Sequence, residues 1–165
     1  MGTDEFGIRP GEEMAALPAE FDAGLHFIGR LRTPWRTRQD CPKNGLQTDA
    51  VCTVDVDPAY APGLLTITGC THLILLYWME HATRGLVVQQ PRHAAGPRGT
   101  FALRSPARPN PIALSVVELI ARESDTLRVR GLDCLDGTPL LDIKPYYAST
   151  DSRPAAQVDR AGADT

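Results

Sequence analysis

The chain has 165 residues, with 17 Lys and Arg against 20 Asp and Glu, and 42% of its residues are hydrophobic. This length predicts one domain with a real core, and the composition excludes a collagen-like or wholly disordered chain. The longest apolar run, 73–79, is far shorter than the roughly 20 residues of a membrane helix. The acidic N-terminus has no basic and then apolar start, so we expect a cytoplasmic protein without a signal peptide or membrane association.

Four cysteines are spread along the chain without a CxxC pair, at Cys41, Cys52, Cys70 and Cys134. Zinc and redox motifs use closely spaced pairs of cysteines. A free cysteine most often behaves as a small buried apolar residue. We therefore expect free thiols and no metal site.

Short strands dominate the predicted elements. Ahead of them, residues 1–24 have no apolar period and predict a flexible acidic tail. Alternating or β-branched apolar runs then predict eight strands, in chain order 26–32, 51–57, 64–69, 72–79, 101–103, 112–120, 127–132 and 140–146. The run at 72–79 is typical of a strand buried on both faces. The polar residues from 148 onward predict a second tail.

Loops rich in proline and glycine separate these strands. A long polar loop is predicted over 33–49 and a second loop over 89–99, and long loops in compact domains are often functional. Asp136-Gly137 is a strong turn signal before the last strand. No capped amphipathic helix of 12 residues stands out.

The pattern therefore predicts an all-β fold with little helix, a barrel or a sandwich. We expect a single compact domain over residues 25–150. A flexible N-terminal tail over 1–24 and a flexible C-terminal tail over 151–165 flank it.

Positive charge concentrates between His81 and Val117, where the sequence has no acid. This stretch holds five arginines: Arg84, Arg92, Arg98, Arg104 and Arg108. Such a stretch predicts a surface that faces anions. The alternative is a solvated loop whose arginines pair with acids elsewhere in the fold.

The most unusual segment is 104–112, with the sequence Arg-Ser-Pro-Ala-Arg-Pro-Asn-Pro-Ile. Three prolines fix the backbone repeatedly and hold two arginines and one asparagine on a stiff loop. Such a loop preorganises a binding site at low entropic cost. The alternative is a proline-rich connection between two strands.

Two further loops carry polar groups. The turn at 132–139 places Asp133, Asp136, a threonine hydroxyl and free backbone groups close together, which suits an amine or a ribose. On its own, an Asp-Gly turn is common in proteins. The segment 41–45 is a weaker signal of the same kind.

These motifs together resemble the TsaA/TrmO family. The resemblance is carried by Gly99 to Ser115, which contains the Arg-Ser-Pro-x-Arg-Pro-Asn-Pro-Ile string, and by Leu132 to Tyr146, with its Asp-Gly-Thr-Pro and Asp-Ile-Lys-Pro-Tyr segments. Thr71-His72-Leu73, Ile28-Gly29 and Pro42-Lys43 are similar to further family segments. The resemblance covers about residues 26–150.

The resemblance implies a TsaA-like β-barrel methyltransferase that uses S-adenosylmethionine and forms a homodimer. Characterised members methylate N6 of threonylcarbamoyladenosine at tRNA position 37. The implied cofactor contacts are Pro42, Lys43, Asn44, Glu80, His81, Arg104, Leu114, Asp136, Gly137, Thr138 and Pro139.

The chain departs from the family pattern in three places. Asn44 stands where members usually have glutamine, and Glu80 aligns with a histidine of some members, so that His81 comes one position later. Longer bacterial members have an additional C-terminal domain linked to tRNA handling, and we expect this chain to lack it.

Methyl transfer to an amine needs alignment of the reacting atoms and an acceptor for one proton. The candidate proton acceptors are Asp133, Asp136 and His81. We expect phosphates or the threonyl carboxylate of the substrate to meet Arg92, Arg98, Arg108 and Asn110. Two alternatives remain open: a methyltransferase of the same fold acting on a small molecule, and a non-catalytic module that binds S-adenosylmethionine or nucleic acid.

Overall fold

The structure is a computed structural model that describes residues 8–92 and 94–158. The chain divides into two units. Ala23–Glu80 and Ile112–Ser152 form the first, which we call the barrel unit. The described parts of Met1–Asp22, His81–Pro111 and Arg153–Thr165 form the second unit. Residues 81–111, which lie within the domain predicted over 25–150, group with the N-terminal segment in this second unit.

Nine strands and one short helix are described. In chain order they are β1 (Glu13–Met14), β2 (Gly29–Arg32), β3 (Val51–Val56), β4 (His72–Trp78), β5 (Leu86–Gln89), β6 (Arg98–Gly99), β7 (Ile112–Glu123), β8 (Thr126–Arg130), β9 (Pro139–Pro145) and α1 (Ala148–Asp151). Six of the strands close into a barrel in the order β2-β3-β8-β7-β4-β9, with antiparallel neighbours. The predicted all-β barrel with little helix is confirmed.

The alternation of side chains along the strands explains the barrel, since successive residues of a strand point to opposite faces. The inward residues form one core made mostly of leucine and valine, which includes Leu31, Val54, Leu73, Leu75, Val117, Leu127, Val129 and Leu140. Strand β4 has one buried face, while its other side chains are half-buried or exposed. The prediction that both of its faces are buried is therefore wrong, because the outer face of the barrel carries the alternate residues.

Two of the predicted strands are absent from the described residues. The run at 64–69 forms 3₁₀ turns at Ala61–Leu64 and Ile67–Gly69, and the run at 101–103 lies in a 3₁₀ turn at Thr100–Ala102. Thr66 has a left-handed backbone with φ of 65°, which interrupts any extended run there. Leu65 and Phe101 are 78% and 83% exposed, so these apolar side chains do not mark a buried face.

The second unit contains a three-stranded sheet in the order β1-β5-β6. Glu12 fixes the entry to β1, since its Oε1 accepts the Arg9 Nε–H at 3.0 Å and the Gln90 amide at 3.1 Å. Its side chain is only 4% exposed. The expected loose tail over 1–24 therefore includes a paired strand, which two residues of alternation could not reveal. Residues 1–7 and 159–165 of the predicted tails lie outside the described residues.

Acidification should loosen the β1 pairing. Hydrogen bonds from the Arg9 side chain and backbone, and from the Gln90 amide, hold the pKa of Glu12 at about 2, against an ordinary value of 4.5. A lowered pKa in the folded state stabilises the fold above the unfolded pKa, and this stability is lost as pH falls toward 2. The protection factor for hydrogen exchange of the Ala15 amide, which donates to Gly85 O at 2.8 Å, should therefore fall between about pH 4.5 and 2. Glu12→Gln should remove this pH dependence, and the same dependence in the variant would contradict the assignment.

No helix within 8–92 and 94–158 is long and apolar enough to cross a membrane.

Candidate functional site

Two loops meet at one end of the barrel: residues 33–50 after β2, and residues 131–138 between β8 and β9. The Asp136 amide donates to Trp35 O at 2.9 Å, and the Gly137 amide donates to Leu31 O at 2.8 Å. The Thr33 hydroxyl donates to Cys134 O at 2.9 Å. The predicted turn at Asp136-Gly137 is present, and Gly137 has φ of 81°, a left-handed conformation that favours glycine. The backbone of the second loop is therefore locked onto the first.

The first loop approaches the second at two glycines. A Cβ on Gly45 would lie 1.9 Å from Gly131 O, which is much closer than any real contact. Gly131 itself has φ of 111°. Asn44 shapes this approach, since its side chain accepts the Leu46 amide at 3.0 Å and caps the 3₁₀ turn Gly45–Gln47. The segment 41–45 was the weakest sequence signal, and the structure gives it a defined position.

Arg30 links two of the predicted cofactor residues. Its Nη1 donates to Gly137 O at 2.8 Å and lies 4.0 Å from Glu80 Oε1. Arg30 therefore contacts both the Glu80 carboxylate, which follows β4, and the turn before β9. Sequence reasoning missed Arg30, because an exposed arginine on an alternating strand has no distinguishing pattern.

The two candidate carboxylates of the second loop differ in their partners. Asp136 Oδ1 accepts the Thr33 amide at 3.2 Å, and its Oδ2 lies 3.3 Å from Arg36 Nη1. Both of its oxygens are therefore used to hold the loops together. Asp133 Oδ1 accepts the Tyr77 hydroxyl at 3.1 Å, whereas its Oδ2 has no hydrogen-bond partner among the described residues. Asp133 is thus the carboxylate with an oxygen open to a ligand.

The buried hydroxyls of Ser115 and Tyr77 form a hydrogen-bonded chain that ends at Asp133. The Tyr77 hydroxyl lies 2.8 Å from Ser115 Oγ, and the two residues are 2% and 9% exposed. Burial, followed by the negative charge of Asp133, raises the pKa of Tyr77 well above its usual range. The hydroxyl therefore stays protonated and donates a hydrogen bond to Asp133, while the Ser115 hydroxyl donates one to the Tyr77 oxygen. Sequence reasoning missed both residues, although a tyrosine and a serine inside apolar strands were a usable signal.

The cysteines are free, as predicted. Burial raises the pKa of Cys52 to about 11 and that of Cys134 to about 12, so both thiols stay neutral. The pKa of Cys41 is raised by its partial burial and then by the Asp133 charge, which places this thiol near Asp133. No group of three or more metal-ligating side chains occurs in the described part of the chain.

Within the second unit, buried polar groups hold the proline-rich loop. Gln89 is 6% exposed, and its Nε2 donates to Ala107 O at 2.7 Å and to Thr100 Oγ1 at 2.8 Å. Arg108 Nη2 donates to Thr100 O at 3.1 Å and to Leu103 O at 2.8 Å. The guanidinium of Arg108 is therefore turned into its own loop, a structural role that the sequence did not predict.

The other predicted residues of the second unit lie nearer the surface. Arg92, Arg104, His81 and Asn110 are exposed, and Arg98 is half-buried. Arg84 holds the loop from its far end, since its Nε donates to Pro109 O at 2.7 Å and its Nη2 to Asn110 Oδ1 at 3.3 Å. The stiff loop thus presents Arg104 while Gln89, Arg84 and Arg108 anchor it.

A cleft of the barrel unit lies apart from the predicted site residues. Leu114 points outward near the start of β7 and is 42% exposed. A cleft of about 240 Å³ opens near the start of β2 and the end of β3, lined by residues that include Ile28, Tyr60 and Ile143. None of the predicted site residues lines this cleft. The structure therefore brings together the two loops, Glu80 and Asp133 around one barrel end. Leu114 lies opposite Leu76 of β4, on the outer face of the barrel.

Similar proteins show the family to which this chain belongs. Residues 30–152 match the model of the tRNA-methyltransferase O N-terminal domain family, and the chain belongs to this family. It is 41% identical over 154 residues to a probable S-adenosyl-L-methionine-binding protein, VirR, of Rhizobium radiobacter, covering 93% of this chain and 87% of that protein. It is 34% identical to the tRNA (adenine(37)-N6)-methyltransferase of Escherichia coli, covering 81% and 62%.

A solved structure agrees with this placement. The crystal structure of TrmO from Pseudomonas aeruginosa matches with a TM-score of 0.71 and 30% identity, covering 86% of this chain and 64% of that one. The chain therefore spans less than two thirds of the Escherichia coli and Pseudomonas proteins that it resembles.

Proposed function

We propose that this protein is an S-adenosylmethionine-dependent methyltransferase that methylates N6 of threonylcarbamoyladenosine at tRNA position 37. The family and the names of its relatives support the cofactor and the reaction. The observation that carries the proposal to this chain is the Asp133 carboxylate, which has one open oxygen beside the two locked loops.

The groups at the barrel end fit the cofactor. S-adenosylmethionine carries an ammonium, a carboxylate and ribose hydroxyls, and these groups need acceptors and one cation. The exposed Glu80 carboxylate and Asp133 Oδ2 are acceptors, and Arg30 supplies a guanidinium between Glu80 and Gly137. The amides of Asp136, Gly137 and Thr138 are already bonded within the protein, so this turn contributes shape and carbonyl oxygens. Arg104 is a further cofactor contact that the family resemblance implies.

The residues of this chain align the reactants and remove one proton. When bound, the cofactor supplies a methyl carbon whose bond to sulfur breaks with the electron pair left on sulfur. The lone pair of the acceptor nitrogen forms the new bond, and that nitrogen loses its hydrogen as a proton. Asp133 Oδ2 accepts the proton, because Asp136 has both of its oxygens occupied. Alignment by the rigid loops supplies most of the acceleration.

Arg92 and Arg98 are the proposed contacts for tRNA phosphates. They lie in the stretch 81–117, which holds five arginines and no acid. Asp55 and Glu118, which could have neutralised that stretch, pair with Arg32 and Arg130 of the barrel. Neither of these two acids therefore pairs with Arg92, which supports the anion-facing interpretation for that residue.

We also propose that the functional form is a homodimer in the cytoplasm. Strand β7 exposes an apolar row on the outside of the barrel, with Ile112, Leu114, Val116 and Ile120 each between 38% and 43% exposed. A second copy of the chain is the partner that the family resemblance implies, and its own row would cover this one. The free cysteines agree with a reducing compartment. Sedimentation should give a mass of about twice 17.9 kDa.

Two measurements test the function. Calorimetry should show S-adenosylmethionine binding at about micromolar affinity or tighter, near −8 kcal/mol. Mass spectrometry of tRNA nucleosides should show that methylated threonylcarbamoyladenosine is lost in a deletion strain and restored by the gene.

The net charge of −3 favours a small acceptor as the second candidate, which would appear as methyl turnover on a metabolite with unchanged tRNA. Binding without any turnover would leave a non-catalytic module.

Arg104→Ala should weaken cofactor binding by about 1–3 kcal/mol, the usual cost of leaving a charged partner unpaired. Arg104 is exposed and has no hydrogen-bond partner within the described residues, so the substitution should leave the melting temperature nearly unchanged. Arg128→Ala is the matched control, since it removes another exposed arginine, on β8. Equal affinities for the wild type and Arg104→Ala would remove Arg104 from the cofactor site.

A further inference from the structure

We propose that Tyr77, supported by Ser115, is a positioning residue for Asp133 and thereby for the transfer of the proton. This inference deepens the proposed function and rests on it. It starts from one anomaly of the barrel interior. The side chains that fill the barrel are almost all leucine and valine, yet Tyr77 and Ser115 place two hydroxyls among them.

Buried hydroxyls cost stability unless they are hydrogen-bonded, so their partners show what they are for. Ser115 lies on β7 and Tyr77 on the neighbouring β4, and their oxygens are 2.8 Å apart. The Tyr77 hydroxyl can donate only one hydrogen bond, and Asp133 Oδ1 accepts it at 3.1 Å. The chain of donors thus runs in one direction, from Ser115 through Tyr77 to the carboxylate.

The direction of this chain sets the orientation of Asp133. A carboxylate on a loop can rotate, and a rotating base is poorly aligned with a nitrogen on a bound substrate. With Oδ1 fixed by a tyrosine on a barrel strand, Oδ2 keeps a constant position. A rigid element that supports a loop residue in this way is the usual means of preorganising a reacting group.

One proton moves in the proposed reaction. The acceptor nitrogen gains the methyl group and loses one proton, and Asp133 Oδ2 takes that proton and becomes neutral. Tyr77 stays protonated throughout, so it moves no proton and does not touch the substrate. Its contribution is the geometry of Asp133 alone.

Tyr77→Phe tests the proposal, because it keeps the ring in the core and removes only the hydroxyl. We expect kcat with tRNA to fall about tenfold or more, with KM and the calorimetric affinity for S-adenosylmethionine within about twofold of the wild type. Tyr60→Phe is the matched control, since the Tyr60 hydroxyl has no hydrogen-bond partner in the described ranges and lies in the cleft near the start of β2. It should leave kcat unchanged.

Two readouts separate positioning from a general structural role. In an Asp133→Ala background, Tyr77→Phe should have almost no further effect on kcat, because its target is gone. A crystal structure of Tyr77→Phe should show the Asp133 carboxylate moved or in two rotamers, with the barrel backbone unchanged. An unchanged kcat in Tyr77→Phe, an equal loss in the Asp133→Ala background, or an Asp133 carboxylate fixed in place without Tyr77 would each overturn the proposal.

The crystallographic readout does not depend on the reaction. Failure of the proposed function would appear as wild-type protein that transfers no methyl group to tRNA. The orientation of Asp133 in the variant would still report on Tyr77 in that case.

Discussion

Gly45→Ala is expected to reduce the affinity for S-adenosylmethionine more than tenfold while leaving the barrel folded. The added Cβ would lie 1.9 Å from Gly131 O, and this neighbour is backbone that cannot rotate away. The loop 33–50 must therefore move off residues 131–138, and that movement separates the residues proposed to hold the cofactor. Calorimetry measures the affinity, and circular dichroism checks that the strand content is kept.

Gly63→Ala is the matched control for this substitution. A Cβ on Gly63 has no neighbour within 4 Å, so the same chemical change meets no obstacle there. It should leave the cofactor affinity unchanged. If Gly45→Ala binds as tightly as Gly63→Ala, the contact between the two loops has no part in the cofactor site.

Arg108→Ala and Arg92→Ala are expected to differ, since the first should lower stability and the second should weaken tRNA binding. Arg108 donates to two backbone carbonyls of its own loop, so its removal should lower stability by about 1–3 kcal/mol and leave the salt dependence of tRNA binding unchanged. Arg92 is exposed, and a phosphate contact there releases counterions. Its removal should make the slope of log affinity against log salt shallower by about 0.7–0.9.

Filter binding across a series of salt concentrations, together with thermal melting, distinguishes the two residues. A shallower slope in Arg108→Ala at unchanged stability would return this arginine to the substrate-binding role that its sequence position first predicted. If the slope of log affinity against log salt is near zero in the wild type, the second unit does not bind tRNA phosphates.

The strands of the barrel were predictable because alternation and β-branching reflect directly which side chains enter the core. The predicted strands 51–57, 112–120 and 140–146 each coincide closely with an observed strand. The predictions failed where an apolar run had no inward face. Leu65 and Phe101 are exposed on 3₁₀ turns, and composition cannot distinguish such residues from core residues.

The site was predictable as a set of loops, while the roles within it were not. Asp133 and Asp136 are three positions apart and look equivalent in the sequence, and only their partners distinguish them. Tyr77 lies on β4, 56 residues before Asp133. Pairing of this kind depends on the order of strands in the barrel, which no local pattern encodes. The same holds for β1, whose position depends on Glu12 reaching the Gln90 amide.

The pairing of β4 with β7 has a consequence for how this fold diversifies. Trp78 lies opposite Ile112, so residues 79–111 leave and rejoin the barrel at neighbouring points. The entropy of closing such an excursion grows only slowly with its length, at about 0.6 kcal/mol per doubling. Insertions or deletions in this excursion therefore cost the barrel little, so its arginine pattern can change to suit a new acceptor without any redesign of the core.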